Sequence, residues 1–238
     1  MLEIDKVTVQ FGGLRAVDSM SVRVEPGSIH SLIGPNGAGK TTLFNVVTRI
    51  IQPREGSVRF EGQDMLSLKA NEIVRYGIAR SFQNLQLFAY CSVFENLYSG
   101  LAFRYKACLT GVVAGKHKNF DSEAKDRILE TAELLGIKNR LSSYPGSLPY
   151  GILKRIELAR ALVSDPKLLL LDEPAAGLNT EETTELTDIL RTISGMGKTM
   201  LVVEHDMGLV MKISDRITVM NFGKKIAEGA PTEVANNP

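Results

Sequence analysis

Two cysteines in 238 residues, Cys91 and Cys108, cannot form a disulfide framework, and they lack the paired spacing of a metal site. Free or buried thiols in a reducing compartment are expected. An excess of one charge sign is missing as well. The formal net charge is +1, so no dedicated basic face for nucleic acid is implied. Long hydrophobic runs are also lacking: none approaches the about 18 residues that span a bilayer, and Leu168 to Leu171 suits a buried parallel strand. Met1-Leu2-Glu3-Ile4-Asp5-Lys6 has no signal-peptide core, and no repeat or low-complexity tract is visible. A cytoplasmic protein is expected, with any membrane role exercised through a partner. The 44% hydrophobic and 23% charged residues are ordinary for a globular chain, long enough for one large α/β domain or two small ones.

The most informative segment present is Gly34-Pro35-Asn36-Gly37-Ala38-Gly39-Lys40-Thr41, followed by Thr42. It fits the phosphate-cradling pattern G-x-x-x-x-G-K-[ST] at every fixed position. Ser28 to Ile33 before it suggests a short buried strand, and Leu43 to Ile50 after it a helix, the context that the loop requires. Glycines let backbone N–H groups approach a phosphate closely, and the helix N-terminus adds positive dipole. Lys40 can reach the β- and γ-phosphates, and the Thr41 hydroxyl can ligate Mg²⁺. A nucleoside triphosphate is the implied ligand.

Residues 1–30 alternate like antiparallel strands: Leu2-Glu3-Ile4, Val7-Thr8-Val9 and Met20 to Val24. Glu25-Pro26-Gly27 is a turn, and Gly56 to Gly62 suggests another short edge strand. From about 84 to 160 helical periodicity takes over. Ser122 to Gly136 is predicted as an amphipathic helix burying Ala124, Ile128, Leu129, Ala132 and Leu135. After Asp165-Pro166 strands and helices alternate: 168–172, 180–194, 199–203, 207–213 and 216–220. That rhythm indicates right-handed crossovers and a parallel sheet. The predicted fold is α/β: a P-loop NTPase core, made of a parallel sheet plus an N-terminal antiparallel β subdomain, with an inserted helical subdomain. The core spans 1–83 and 161–238, the insertion 84–160, and the whole is a single domain.

Asp172-Glu173 closes the apolar run at 168–171. A carboxylate there can hold Mg²⁺, often through water, and the next can polarise an attacking water. Gln83 follows Arg80-Ser81-Phe82, Leu148-Pro149-Tyr150-Gly151 opens a helix, and His205 follows the strand Leu201-Val202-Val203. Alone, Gln83 is compatible with a capping amide and His205 with a satisfied core histidine. Their order decides: phosphate loop, glutamine, helix-opening glycine motif, apolar-Asp-Glu, histidine. Over essentially its whole length the chain resembles the ATP-binding subunits of ABC transporters. Asp172-Glu173-Pro174-Ala175-Ala176-Gly177-Leu178-Asn179 and the stretch from Phe82-Gln83-Asn84 to Phe94-Glu95-Asn96-Leu97 are similar to the branched-chain amino-acid importer type. So is an insertion over about 101–122 that carries Lys116-His117-Lys118, a solvated loop or a binding patch.

The resemblance implies an ATPase using ATP and Mg²⁺. Phe11 stands where the family stacks an aromatic on adenine, although a core aromatic at a strand end fits the residue equally. Gln83 touches Mg²⁺ or the attacking water, Asp172 serves the metal, Glu173 is the general base and His205 contacts the γ-phosphate. Two such subunits, identical or not, sandwich two ATP molecules head to tail, each phosphate loop facing the partner's signature motif. Transmembrane permease subunits and, indirectly, a solute-binding protein complete the assembly at the inner face of the membrane, and no nucleic acid takes part. Leu87, Phe88 and Tyr90 either meet the permease or form the helical subdomain's own core. There are departures. The signature is commonly Leu-Ser-Gly-Gly-Gln, whereas this chain has Leu148-Pro149-Tyr150-Gly151-Ile152. Proline brings neither hydroxyl nor N–H, but it suits the first position of a helix. The degraded motif also admits a regulatory cassette with weak hydrolysis. The chain ends at Ala235-Asn236-Asn237-Pro238, sooner than such importer subunits usually do.

Overall fold

The computed structural model describes residues 1–81, 85–101 and 117–236, with side chains from Ser122 onward in the helix that begins at His117. Gln83 and its neighbours Phe82 and Asn84, Cys108 and most of the 101–122 insertion lie outside the described residues, as do the side chains of His117 and Lys118.

Two sheets organise the chain. The first is antiparallel, in the order β2-β1-β4-β5, from β1 (Leu2–Phe11), β2 (Leu14–Val24), β4 (Glu55–Phe60) and β5 (Gln63–Asp64). The second has the order β10-β9-β3-β8-β7-β6. It contains β3 (Ile29–Ile33), β6 (Ile78–Arg80), β7 (Leu168–Asp172), β8 (Thr199–Val203), β9 (Arg216–Asn221) and β10 (Lys224–Gly229). Neighbours from β9 to β6 pair in parallel, and β10 alone is antiparallel. The helices are α1 (Lys40–Val47), α2 (Val93–Ser99), α3 (His117–Leu134), α4 (Tyr150–Leu162), α5 (Thr180–Gly195), α6 (Met207–Ile213) and α7 (Pro231–Ala235).

Period-two alternation explains the layering. All four leucines of β7 are wholly buried, but they serve different cores. Leu168 and Leu170 join β1, β2, β4 and α1 on one face, and Leu169 and Leu171 join α2 to α6 on the other. β8 repeats the division, with Leu201 and Val203 on the first face and Met200 and Val202 on the second. Successive side chains of a strand point to opposite faces, so a strand covered on both sides must be apolar throughout. In α3, Ala124, Ile128 and Ala132 are buried at helical spacing, and Leu135 just beyond it is buried too.

Several expectations change. Leu2–Ile4 and Val7–Val9 are one strand, irregular at Lys6, whose φ is 46°. The Gly56–Gly62 segment is not an edge: β4 lies between β1 and β5. Glu61 and Gly62, both at positive φ, turn the chain tightly enough to add a two-residue strand outside it. α1 begins at Lys40 instead of Leu43, because the left-handed Gly39 is its cap. The short β6 and the antiparallel β10 carry too little alternating pattern to be legible.

His30 lies in the central strand β3, 1% exposed, with Nε2 2.8 Å from the Thr218 hydroxyl. Burial lowers its pKa to about 4 from 6.5, outweighing the nearby Glu228 carboxylate. The unfolded chain therefore binds a proton that the folded chain refuses, and stability falls as pH drops from about 6.5 towards 4. Between pH 7 and pH 5 this group should cost about 2 kcal/mol. Urea midpoints at the two pH values should differ less in His30→Asn than in the unsubstituted protein, and equal differences would exclude His30 as the source.

Candidate functional site

The phosphate loop runs from the end of β3 to the start of α1. Gly34 has φ 150°, and a Cβ there would lie 2.1 Å from the Met220 carbonyl oxygen. Gly39 has φ 101°, and its Cβ would come within 2.3 Å of the Ala16 oxygen. Only glycine fits at either position, so the loop is pressed between β9 and the tip of β2. No side chain caps α1 and no acidic residue occupies its first turn, which leaves the helix N-terminus suited to an anion. Pro35, Asn36, Gly37 and Thr41 are exposed, Ala38 is buried and Thr42 is half-buried.

Lys40 is 6% exposed and donates to the carbonyl oxygens of Gly34 at 2.7 Å and Pro35 at 3.0 Å. Burial pushes its pKa down, and the Glu173 and Asp172 carboxylates pull it back up. The three charges thus lie close enough to act on one another. Asp172, 2% exposed, ends β7. One of its oxygens receives Arg80 Nη2 at 2.7 Å, and the other, Oδ1, is buried without a hydrogen-bond partner. Such an orphaned acceptor beside the loop fits a metal-bound water. Among the described residues no cluster of three or more His, Cys, Asp or Glu could hold a metal ion.

Glu173 is the next residue, and its φ is 48°. A left-handed conformation costs a non-glycine residue on the order of 1–2 kcal/mol and persists only where neighbours enforce it. Its N–H donates to the Val203 oxygen at 2.8 Å. His205, mostly exposed, places Nδ1 3.9 Å from Glu173 Oε2. Lys40, Asp172, Glu173 and His205 thus converge at the C-terminal ends of β7 and β8, where ligands of open α/β sheets bind. Phe11 ends β1 half exposed rather than in the core.

The other predicted residues sit elsewhere. Pro149 is the cap of α4 rather than its first helical residue, with ψ 153°. Leu148 is half-buried, while Pro149 and Tyr150 are exposed. The Tyr150 ring lies against Gly177, where a Cβ would come within 2.9 Å of it, and Gly151 faces Glu182 of α5. Gln83 falls outside the described residues.

Two residues escaped the sequence reading. Arg80, 8% exposed at its side chain, bonds Asn45 of α1 at 2.7 Å and Thr48 just beyond it at 3.2 Å as well as Asp172, and it lies 5.6 Å from the Phe44 ring centre. Glu204, wholly buried, follows β8. The available signal was a charge closing a short apolar run in each case.

A family model described as ABC transporter matches residues 17–176. The chain belongs to the ABC transporter family. It is an ATPase of that family, with the cassette's P-loop fold. It is 40% identical to LivG of Escherichia coli (strain K12), described as a high-affinity branched-chain amino acid transport ATP-binding protein, covering 100% of this chain and 94% of LivG. The ADP conformation of MJ1267, an ATP-binding cassette, superposes with a TM-score of 0.87 at 31% identity, covering 99% of this chain and 93% of that one. A dimeric post-hydrolysis cassette, MJ0796 bound to ADP and Pi, is similar at a TM-score of 0.82 and 25% identity, over 97% and 99% of the two chains.

Two substitutions separate binding from chemistry. If Lys40 meets phosphate, Lys40→Ala should weaken ATP binding at least tenfold, about 1.4 kcal/mol, in an equilibrium titration. Glu173→Gln should leave that affinity nearly intact and slow single-turnover hydrolysis by a factor on the order of 10²–10⁴. A near-normal rate would remove the base assignment.

Proposed function

We propose that this chain is the ATP-hydrolysing subunit of an importer for branched-chain or other hydrophobic amino acids. The convergence of Lys40, Asp172 and Glu173 on one phosphate loop carries the ATPase half of this reading. The likeness to LivG along the full chain supports the solute class. The loop amides and Lys40 hold the triphosphate, Phe11 stacks on adenine, and Thr41, Asp172 and Gln83 serve Mg²⁺, which neutralises phosphate charge when bound. Glu173 takes the proton of the attacking water, and His205 meets the γ-phosphate.

Two cassettes close head to tail, in keeping with the dimeric relative, and Leu148 to Gly151 faces the partner's nucleotide. Pro149 gives that contact neither hydroxyl nor N–H, so the start of α4 acts through its backbone and dipole. A regulatory role with weak hydrolysis is not favoured, since Lys40 and Glu173 are both in place. Residues 84–160 form the helical subdomain, inserted between the core segments 1–83 and 161–238.

No helix among the described residues is long and apolar enough to cross a membrane, so coupling needs a separate permease. A groove of about 690 Å³ runs between the strand Ile78–Arg80 and α4, lined by Ile73, Val74, Ala79, Phe88 and Arg160. Phe88 is 55% and Tyr90 97% exposed, while Leu87 packs into the core. An apolar groove with exposed aromatics at its rim fits a helix of the permease on the inner face of the membrane. A photoreactive residue replacing Phe88 in whole cells should capture a transmembrane subunit, and cells lacking this chain should lose ATP-driven leucine uptake. Capture of no membrane subunit would set aside the groove, and unchanged uptake of branched-chain amino acids would set aside the solute class.

A further inference from the structure

Glu204 is 0% exposed, and nothing in nucleotide binding uses it. Its two oxygens receive three backbone N–H groups. Ala175 donates to Oε1 at 2.8 Å, while His205 and Asp206 donate to Oε2 at 2.9 and 3.2 Å. The last two are sequence neighbours, as in any local turn. The first is not: it lies 29 residues away, two positions after Glu173. One residue earlier along β8, the Val203 carbonyl oxygen accepts the Glu173 N–H. The end of β8 therefore grips the turn after β7 at two points, once by backbone and once by the Glu204 side chain.

That grip falls on a residue whose own backbone is strained. Glu173 has its φ at 48°, a conformation that reverts unless the surroundings over-determine it. We infer that Glu204 is a positioning residue for hydrolysis: its carboxylate ties the 173–175 turn to the 205–206 segment, fixing the strained Glu173 and His205 as one unit. The chemistry of the acceptor matters. An ionised carboxylate only accepts, so three amides converge on it without conflict, whereas an amide side chain turns an NH₂ towards N–H donors. Tying in the Ala175 amide is more than capping α6 requires, since Asp206 already caps that helix by accepting from Leu209 N–H at 3.1 Å.

This inference rests on reading Glu173 as the base, and the experiment separates the two. Glu204→Gln and Glu204→Ala are made in the full chain. ATP affinity, single-turnover rate with saturating Mg-ATP and peptide-level amide hydrogen exchange are then measured. The rate should fall at least tenfold in Glu204→Gln and further in Glu204→Ala, with ATP affinity within twofold. Exchange should quicken together in the peptides holding Ala175 and His205, and stay unchanged in the phosphate loop. Rate and affinity falling in parallel, with faster exchange throughout, would mean a merely structural residue and overturn the inference. Faster exchange around His205 alone would overturn it too. Should Glu204→Ala fail to fold, Glu204→Gln decides. Normal hydrolysis by Glu173→Gln would remove the base, while the paired exchange change would still report whether Glu204 ties the two segments.

Discussion

Polar groups at the ends of doubly covered strands must find partners, and the organisation of the site follows from that constraint. β7 and β8 are apolar on both faces, so a charge placed just beyond them meets protein instead of water. An unpaired buried charge is strongly unfavourable. Asp172 is accordingly held by Arg80, Glu204 by three amides, and Lys40 by two loop carbonyls. Each solution fixes a side chain in one place. The same covering that stabilises the core therefore pre-organises the site, and pre-organisation is what phosphoryl chemistry needs most from a protein.

One strained residue sits within that rigid setting. Glu173 bends into a left-handed conformation at the end of a strand bonded along its length to β8. Here the next strand supplies an acceptor for its N–H, and the turn that follows is held as well. From there the carboxylate acts electrostatically on Lys40.

Much of this was legible in the sequence, for stated reasons. The phosphate loop, the apolar run before Asp172 and the strand before His205 carry their chemistry in consecutive residues, so local pattern suffices. β7, β8 and α5 were placed within a residue because their flanking turns and caps are local too, as in the Asn179 cap of α5. What escaped depends on the fold. β6 has three residues and exists only because β7 lies beside it. β4 became an inner strand through a tight turn at Glu61. Arg80 and Glu204 look like ordinary strand-end charges until Asp172 and Ala175 are brought to them across 92 and 29 residues.

Arg80 also has a second address. It lines the apolar groove beside β6 while bonding the carboxylate at the end of β7. One guanidinium thus belongs to two neighbourhoods, and occupants of the two would be linked through it if each favoured its own placement of the side chain. A partner in the groove that favours one placement of Arg80 alters ligand affinity at Asp172 by some factor, and the ligand alters the partner's affinity by that same factor. Coupling of this kind has no direction of its own. Which side would lead is set by which occupant arrives or leaves first.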